Sequence, residues 1–349
     1  MPTDQAAGLQ DMATPDLMPA PPPTEFYVVR VGDGAVALSS AATALSLERR
    51  KLADGSMVGA ALALPTSGSG AQRAITLGGS SISEGSLSRS ADGRYLLLAG
   101  YDAAPGTAAV ASTSSATVNR VIARVDASGG VDTSTAADFF SGNAIRSATS
   151  TDGRSLWAAG AGGIVYAVFG STAKPASLLA TNMRWLQVAS AQLYASSASG
   201  SNQGISRVGN GTPTGTATAT LLAGFSAQAN TSHYGFFAAD RDGQPGLDVI
   251  YVADDRSVAT GGGVQRWKLS GTTWVLEGTM SKNLTAGVRG LAGYAHPSGV
   301  TLVVTTAESP ARVVRFEDDG TALDMIAAQP LATASANTAY RGVAWAPWP

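Results

Sequence analysis

The chain has 349 residues, of which 14% are charged and 41 are glycine, and its net charge is −2; an ordinary globular protein carries about 25% charged residues. Without a basic field it is not built to hold nucleic acid or an anionic membrane surface. It has no cysteine, which excludes disulfides, thiolate nucleophiles and cysteine-based zinc sites, and no apolar run approaches the ~18 residues of a membrane-spanning helix.

Residues 1–24 read as a disordered tether. Pro19 and Pro21-Pro22-Pro23 sit in a polar stretch that stays extended and unpacked. The stretch is similar to the spacer of a bacterial surface lipoprotein after loss of its signal and lipidated cysteine. Short β-branched or aromatic runs follow, bounded by Gly, Pro, Asp or Ser: Phe26-Tyr27-Val28-Val29, Tyr95-Leu96-Leu97-Leu98, residues 118–123, 249–252, 301–304 and 312–316. No segment keeps an apolar 3.6-residue period over three turns, so the fold class is all-β.

A mark recurs along the chain at Glu84-Gly85, Arg146-Ser147, Arg184-Trp185, Tyr234-Gly235, Arg289-Gly290 and Arg341-Gly342. The intervals each hold four short strands, which is one propeller blade. The marked strand is expected to be innermost, and its near-continuous apolar run fits a strand buried on both faces. Residues 340–345 form such an inner strand with almost nothing after it, while residues 26–64 supply three strands with no inner strand before them. The two ends together make one blade, which removes free sheet edges. The expected fold is a single β-propeller over 25–349 with six blades and a closing blade shared by both termini. Seven blades is the alternative if the long interval between Gly85 and Ser147 hides another.

The run Ser90-Ala91-Asp92-Gly93-Arg94-Tyr95-Leu96, the string from Tyr101 to Thr107, and Val118-Asn119-Arg120-Val121 with Arg124-Val125-Asp126 resemble a group of uncharacterised exported bacterial β-propeller-like proteins. The resemblance covers everything after the tether. It implies a setting outside the cytoplasm, at the cell surface or beyond, and it carries no catalytic residues.

Matching phases place Glu84, Arg146, Arg184, Tyr234, Arg289 and Arg341 in a ring at one rim of the channel. Four guanidiniums against one carboxylate suit a carboxylate or phosphate ligand bound through paired hydrogen bonds. An anionic polysaccharide or a protein partner fits such a rim on a monomer. The alternative is that each Arg packs on an aromatic neighbour and bonds loop carbonyls between blades, in a purely structural surface protein. His233 beside Tyr234 opens an enzymatic alternative, since His and Tyr near Arg and Glu form the kind of set that abstracts a proton next to a uronate carboxylate, as polysaccharide lyases do. No cofactor is expected beyond Ca²⁺. Asp240, Asp242 and Asp248 have the spacing of a calcium loop, although Gln244 replaces an acidic ligand and no terminal Glu follows. Asp254-Asp255 reads as a solvated turn, and His296 as a solvated turn residue. Trp345 and Trp348 are expected within the closing blade, and Trp267 and Trp274 as a cross-strand pair.

Overall fold

The computed structural model describes residues 22–349 apart from 228, 229 and 245, so the tether lies, as far as residue 21, outside the described residues. Six four-stranded antiparallel sheets stand around one axis as a six-bladed β-propeller. The inner strands are Leu87–Arg89 in the first blade, Ile145–Ser150 in the second, Leu186–Ala189 in the third, His233–Ala239 in the fourth and Val288–His296 in the fifth. The closing blade runs outward from Ala339–Trp345 through Glu25–Val31 and Leu45–Lys51 to Leu62–Ala63. Its seam pairs Val28 with Val343 and Tyr27 with Ala344, so the two termini share one sheet as the sequence indicates. Among the described residues, no helix is long and apolar enough to cross a membrane.

The apolar runs follow from a strand sandwiched on both faces. Successive side chains point to opposite sides of a blade. In the strand Tyr95–Tyr101, Leu96 and Leu98 join Val29 and Leu47 of the closing blade, while Leu97 and Ala99 join Ile145 and Leu156 of the second blade. The pattern repeats around the ring, and each hydrophobic cluster fills one junction between adjacent blades. Each fully buried Leu or Ile contributes about 1.5–3 kcal/mol, so the stability resides between blades, in the packing that closes the circle.

The interval between Gly85 and Ser147 holds no further blade. It is lengthened by the loop 102–119, which contains the short 3₁₀ turn Val110–Ser112. Arg120 anchors this loop from within. Its fully buried guanidinium donates to the carbonyls of Val118 (2.6 Å), Thr113 (3.0 Å) and Phe140 (3.0 Å), and stacks on Tyr101. A small ribbon, Ala42–Thr43 with Leu77–Gly78, braces the same corner.

Several side chains sit elsewhere than expected. Trp345 packs as anticipated and donates from Nε1 to the Gly293 carbonyl (2.7 Å). Trp348 lies against the first blade instead, with the Arg89 guanidinium 4.5 Å from its ring and its N–H on the Gly93 carbonyl. Trp267 and Trp274 are both buried and are diagonal neighbours, opposite Leu276 and Leu269 respectively. His296 ends the long fifth inner strand, half-buried and stacked on Tyr294.

Candidate functional site

The marked residues gather at the rim where the inner strands begin, and β-bulges help to aim them. In four inner strands the ladder slips at the mark: two residues, or one extra, oppose a single partner around Arg146, Tyr234-Gly235, Arg289-Gly290 and Arg341-Gly342. A bulge turns a side chain out of the regular alternation. The glycine after the mark has a steric reason. A Cβ on Gly235 would lie 2.9 Å from the Arg289 carbonyl oxygen, one on Gly290 would lie 2.6 Å from that of Arg341, and one on Gly342 would lie 2.6 Å from that of Gly85. Each missing side chain lets the next blade's backbone close in. The Gly342 N–H donates to the Gly85 carbonyl (2.8 Å), and Ser86 N–H to that of Arg146 (3.1 Å). The result is a glycine neck with the guanidinium rim on one side.

At the rim the charges act on one another. Arg184 lies 4.1 Å from the Tyr234 ring centroid and Arg289 lies 5.9 Å from it. Burial pulls Arg146 below the usual arginine range, and Arg184 acts in the same sense. Burial brings Arg341 down to about 10, with the charge of Arg289 adding to the fall. Glu84 is buried under the rim, where desolvation raises its carboxyl despite bonds from the Gly78 N–H (2.9 Å) and the Tyr101 hydroxyl (3.0 Å). Burial also raises the Tyr234 hydroxyl, and Asp255 does the same to a lesser degree.

Each guanidinium also spans to another element. Arg146 donates to the Asn182 side chain and the Met183 carbonyl (2.9 Å), Arg184 to the Ser232 hydroxyl (3.0 Å) and the His233 carbonyl (3.3 Å), and Arg341 to the Gly79 carbonyl (3.0 Å). Only Arg289 of the four has an ion pair among the described residues, with Asp255 at 3.0 Å. Asp255 was missed in the sequence because consecutive carboxylates after a strand look like a solvated turn. The Nε atoms of Arg146 and Arg341 and the hydroxyls of Ser86 and Ser147 are buried without a partner among the described residues.

His233 is not at this rim surface. It is fully buried, facing Phe225 and Trp267. Its Nε2 lies 3.0 Å from Gln265 Oε1, which also accepts from Trp267 Nε1, while Gln265 Nε2 donates to Asp254. With Gln265 so oriented, the imidazole is neutral and carries its proton on Nε2. Burial pushes its pKa down to about 4, against the attraction of Asp254. The unfolded chain, with its imidazole near 6.5, therefore takes up the proton first as the pH falls. This contribution to stability is whole above about 6.5 and drains away down to about 4, a loss of about 3 kcal/mol. Denaturant midpoints measured at pH 7 and pH 4.5 are expected to show this slope in the parent and a flatter one in His233→Gln. Equal slopes would refute it.

The structure brings Asp240, Asp242 and Asp248 together, with a carboxylate oxygen of each within 4.8 Å of the others. Each also accepts a loop N–H: Gly243 to Asp240 (3.1 Å), Gln244 to Asp242 (2.9 Å) and Arg241 to Asp248 (2.6 Å). These oxygens are of the kind a hard cation takes, and the same bonds brace the loop, that from Gln244 to Asp242 as an Asx turn. The loop follows the far end of the fourth inner strand, away from the guanidinium rim.

No family model matches the chain, and no curated protein matches it in sequence. Among solved structures, the periplasmic gluconolactonase PpgL of Pseudomonas aeruginosa aligns over 89% of this chain and 83% of its own at 14% identity, with a TM-score of 0.46. A putative 6-phosphogluconolactonase from Bacteroides fragilis aligns over 89% and 82%, at 14% identity and a TM-score of 0.47. TolB from Acinetobacter baumannii aligns over 93% of this chain and 67% of its own, at 13% identity and a TM-score of 0.51. The chain is a six-bladed β-propeller that is similar to TolB in fold alone.

Proposed function

We propose that the chain is a noncatalytic binding module that takes an anionic ligand, a uronate-rich glycan in the first instance, on the guanidinium rim. One observation carries this reading: among the described residues, the carboxylates acting on the four rim guanidiniums are Glu84 and Asp255, so the rim holds two uncompensated positive charges in a protein whose net charge is −2. Guanidiniums held on carbonyls and hydroxyls keep their full charge for a ligand, and they are already oriented, which lowers the entropy cost of binding. The burial of His233 supports binding over elimination, because its imidazole lies too deep to reach a sugar. The Pro-rich start and the sparse charge support a setting outside the cytoplasm.

Titration calorimetry with polygalacturonate tests the reading. Arg184→Ala is expected to weaken binding about tenfold or more, the loss of one charge-assisted contact. Asp255→Asn is expected to tighten it, because Arg289 is released from its ion pair. A neutral glycan binding equally well, or a tighter Arg184→Ala, would refute the proposal. Growth of ultraviolet absorbance during incubation would replace binding with an eliminative enzyme.

A further inference from the structure

Glu84 and Arg341 are anchored on two consecutive residues of the small ribbon. The Gly78 N–H donates to Glu84 Oε2 (2.9 Å), and the Gly79 carbonyl accepts from Arg341 Nη2 (3.0 Å). A Cβ on Gly85 would lie 3.1 Å from Arg341 Cβ, so the backbone next to Glu84 rests on the arginine stem. Carboxylate and guanidinium are thus held near each other, both buried, without forming an ion pair among the described residues. The other charged or titratable groups acting with Glu84 come from three elements. Tyr101 donates its hydroxyl to Oε1 (3.0 Å) and accepts the Ile145 N–H (3.2 Å); Arg120 stacks on that ring; Arg146 stands on the second blade. Little water lies between such buried groups, so a change of charge at Glu84 reaches the guanidiniums weakly screened. Burial raises the carboxyl above the usual carboxylate range, and the hydrogen bonds and Arg341 only partly offset this.

We infer that anion binding on the rim is coupled to uptake of one proton by Glu84, so that the rim holds its ligand more tightly as the solution becomes more acidic. The inference rests on the binding function proposed above. Ionised Glu84 competes with a ligand for Arg341. Once it takes a proton from solvent, Asp255 alone stands against four guanidiniums, and the rim gains one unit of positive charge. The coupling is reciprocal: an anion on the rim disfavours the ionised carboxylate beneath it and draws the proton in. A sugar carboxylate, close to an α-carboxyl in acidity, remains charged at pH 5, so the ligand keeps its own charge over the range.

Calorimetric titration of the full chain with polygalacturonate at pH 7.5 and pH 5, in buffers of different ionisation heat, reads both effects. Binding is expected to tighten at least about fivefold at pH 5, with net proton uptake. Glu84→Gln is expected to lose the pH response and the uptake, and to bind at pH 7.5 as tightly as the parent does at pH 5. Tyr101→Phe removes a donor from the carboxylate and is expected to move the response to higher pH; it keeps the test decisive should Glu84→Gln fail to fold. His233→Gln and Asp255→Asn are expected to retain the response. Equal affinity of the parent at both pH values, a response that survives in Glu84→Gln or stays in place in Tyr101→Phe, or its loss in His233→Gln would overturn the inference while leaving rim binding intact. A parent chain that binds the polymer at neither pH would overturn the rim reading, and this inference with it.

Discussion

Replacing Gly342 with alanine is expected to destabilise the propeller by at least about 3 kcal/mol and to lower its melting temperature by several degrees. The new methyl group would lie 2.6 Å from the Gly85 carbonyl oxygen and nearer still to the Leu87 amide nitrogen. Both are backbone atoms of the neighbouring blade, so no rotamer change relieves the clash. Overpacking against side chains costs about 1–3 kcal/mol; here the inner strands of the closing and first blades must part, and the Gly342 to Gly85 hydrogen bond parts with them. Gly215→Ala is the control, because a Cβ there meets nothing. Scanning calorimetry of both variants decides the matter, and a Gly342→Ala protein within about 1 kcal/mol of the parent would show that the neck is looser than described.

Asp254→Ala is expected to cost about 3–5 kcal/mol, the usual penalty for breaking a buried ion pair from one side. Asp254 is fully buried and accepts from the backbone N–H groups of Ser232 (3.2 Å) and Arg256 (3.0 Å), from Arg256 Nε (2.9 Å) and from Gln265 Nε2 (3.2 Å). Its loss strands the Arg256 guanidinium and unties Gln265, the residue that orients His233. Chemical denaturation at pH 7 measures the effect. Asp255→Asn is the comparison, because Asp255 bonds Arg289 at the rim, and its removal is expected to cost less than Asp254→Ala while altering anion affinity. Equal destabilisation by the two would refute the division between a buried brace and a rim carboxylate.

The recurring pair of a marked residue and glycine was legible because it serves two purposes at once: a bulge that turns a side chain to the rim and a bare Cα that admits the next backbone. The shared closing blade was legible from an unmatched inner strand at one end and three unmatched strands at the other. The placement of His233 beside Tyr234 at the rim ignored the two-residue period of strands. Tyr234 packs between the fourth and fifth blades, and His233 turns the opposite way, towards Phe225 and Trp267. Asp254 and Asp255 were opaque for a different reason. Their partners, Gln265 on the neighbouring strand and Arg289 on the next blade, are chosen by tertiary packing and leave no local pattern. The loop 102–119 hid in a blade-length interval because its anchor, Arg120, looks like any strand arginine until the carbonyls gather around it.

The seam between Glu25–Val31 and Ala339–Trp345 sets an order of events in the cell. Of the propeller's strands, Glu25–Val31 is made before its inner neighbour Ala339–Trp345, so Phe26 and Val28 wait uncovered while the strands between them are synthesised. A circle sealed by the strand Ala339–Trp345 is all or nothing: a nascent chain halted before Ala339 exposes two raw blade faces, and such a fragment is prey for proteases and chaperones rather than a smaller version of the finished propeller.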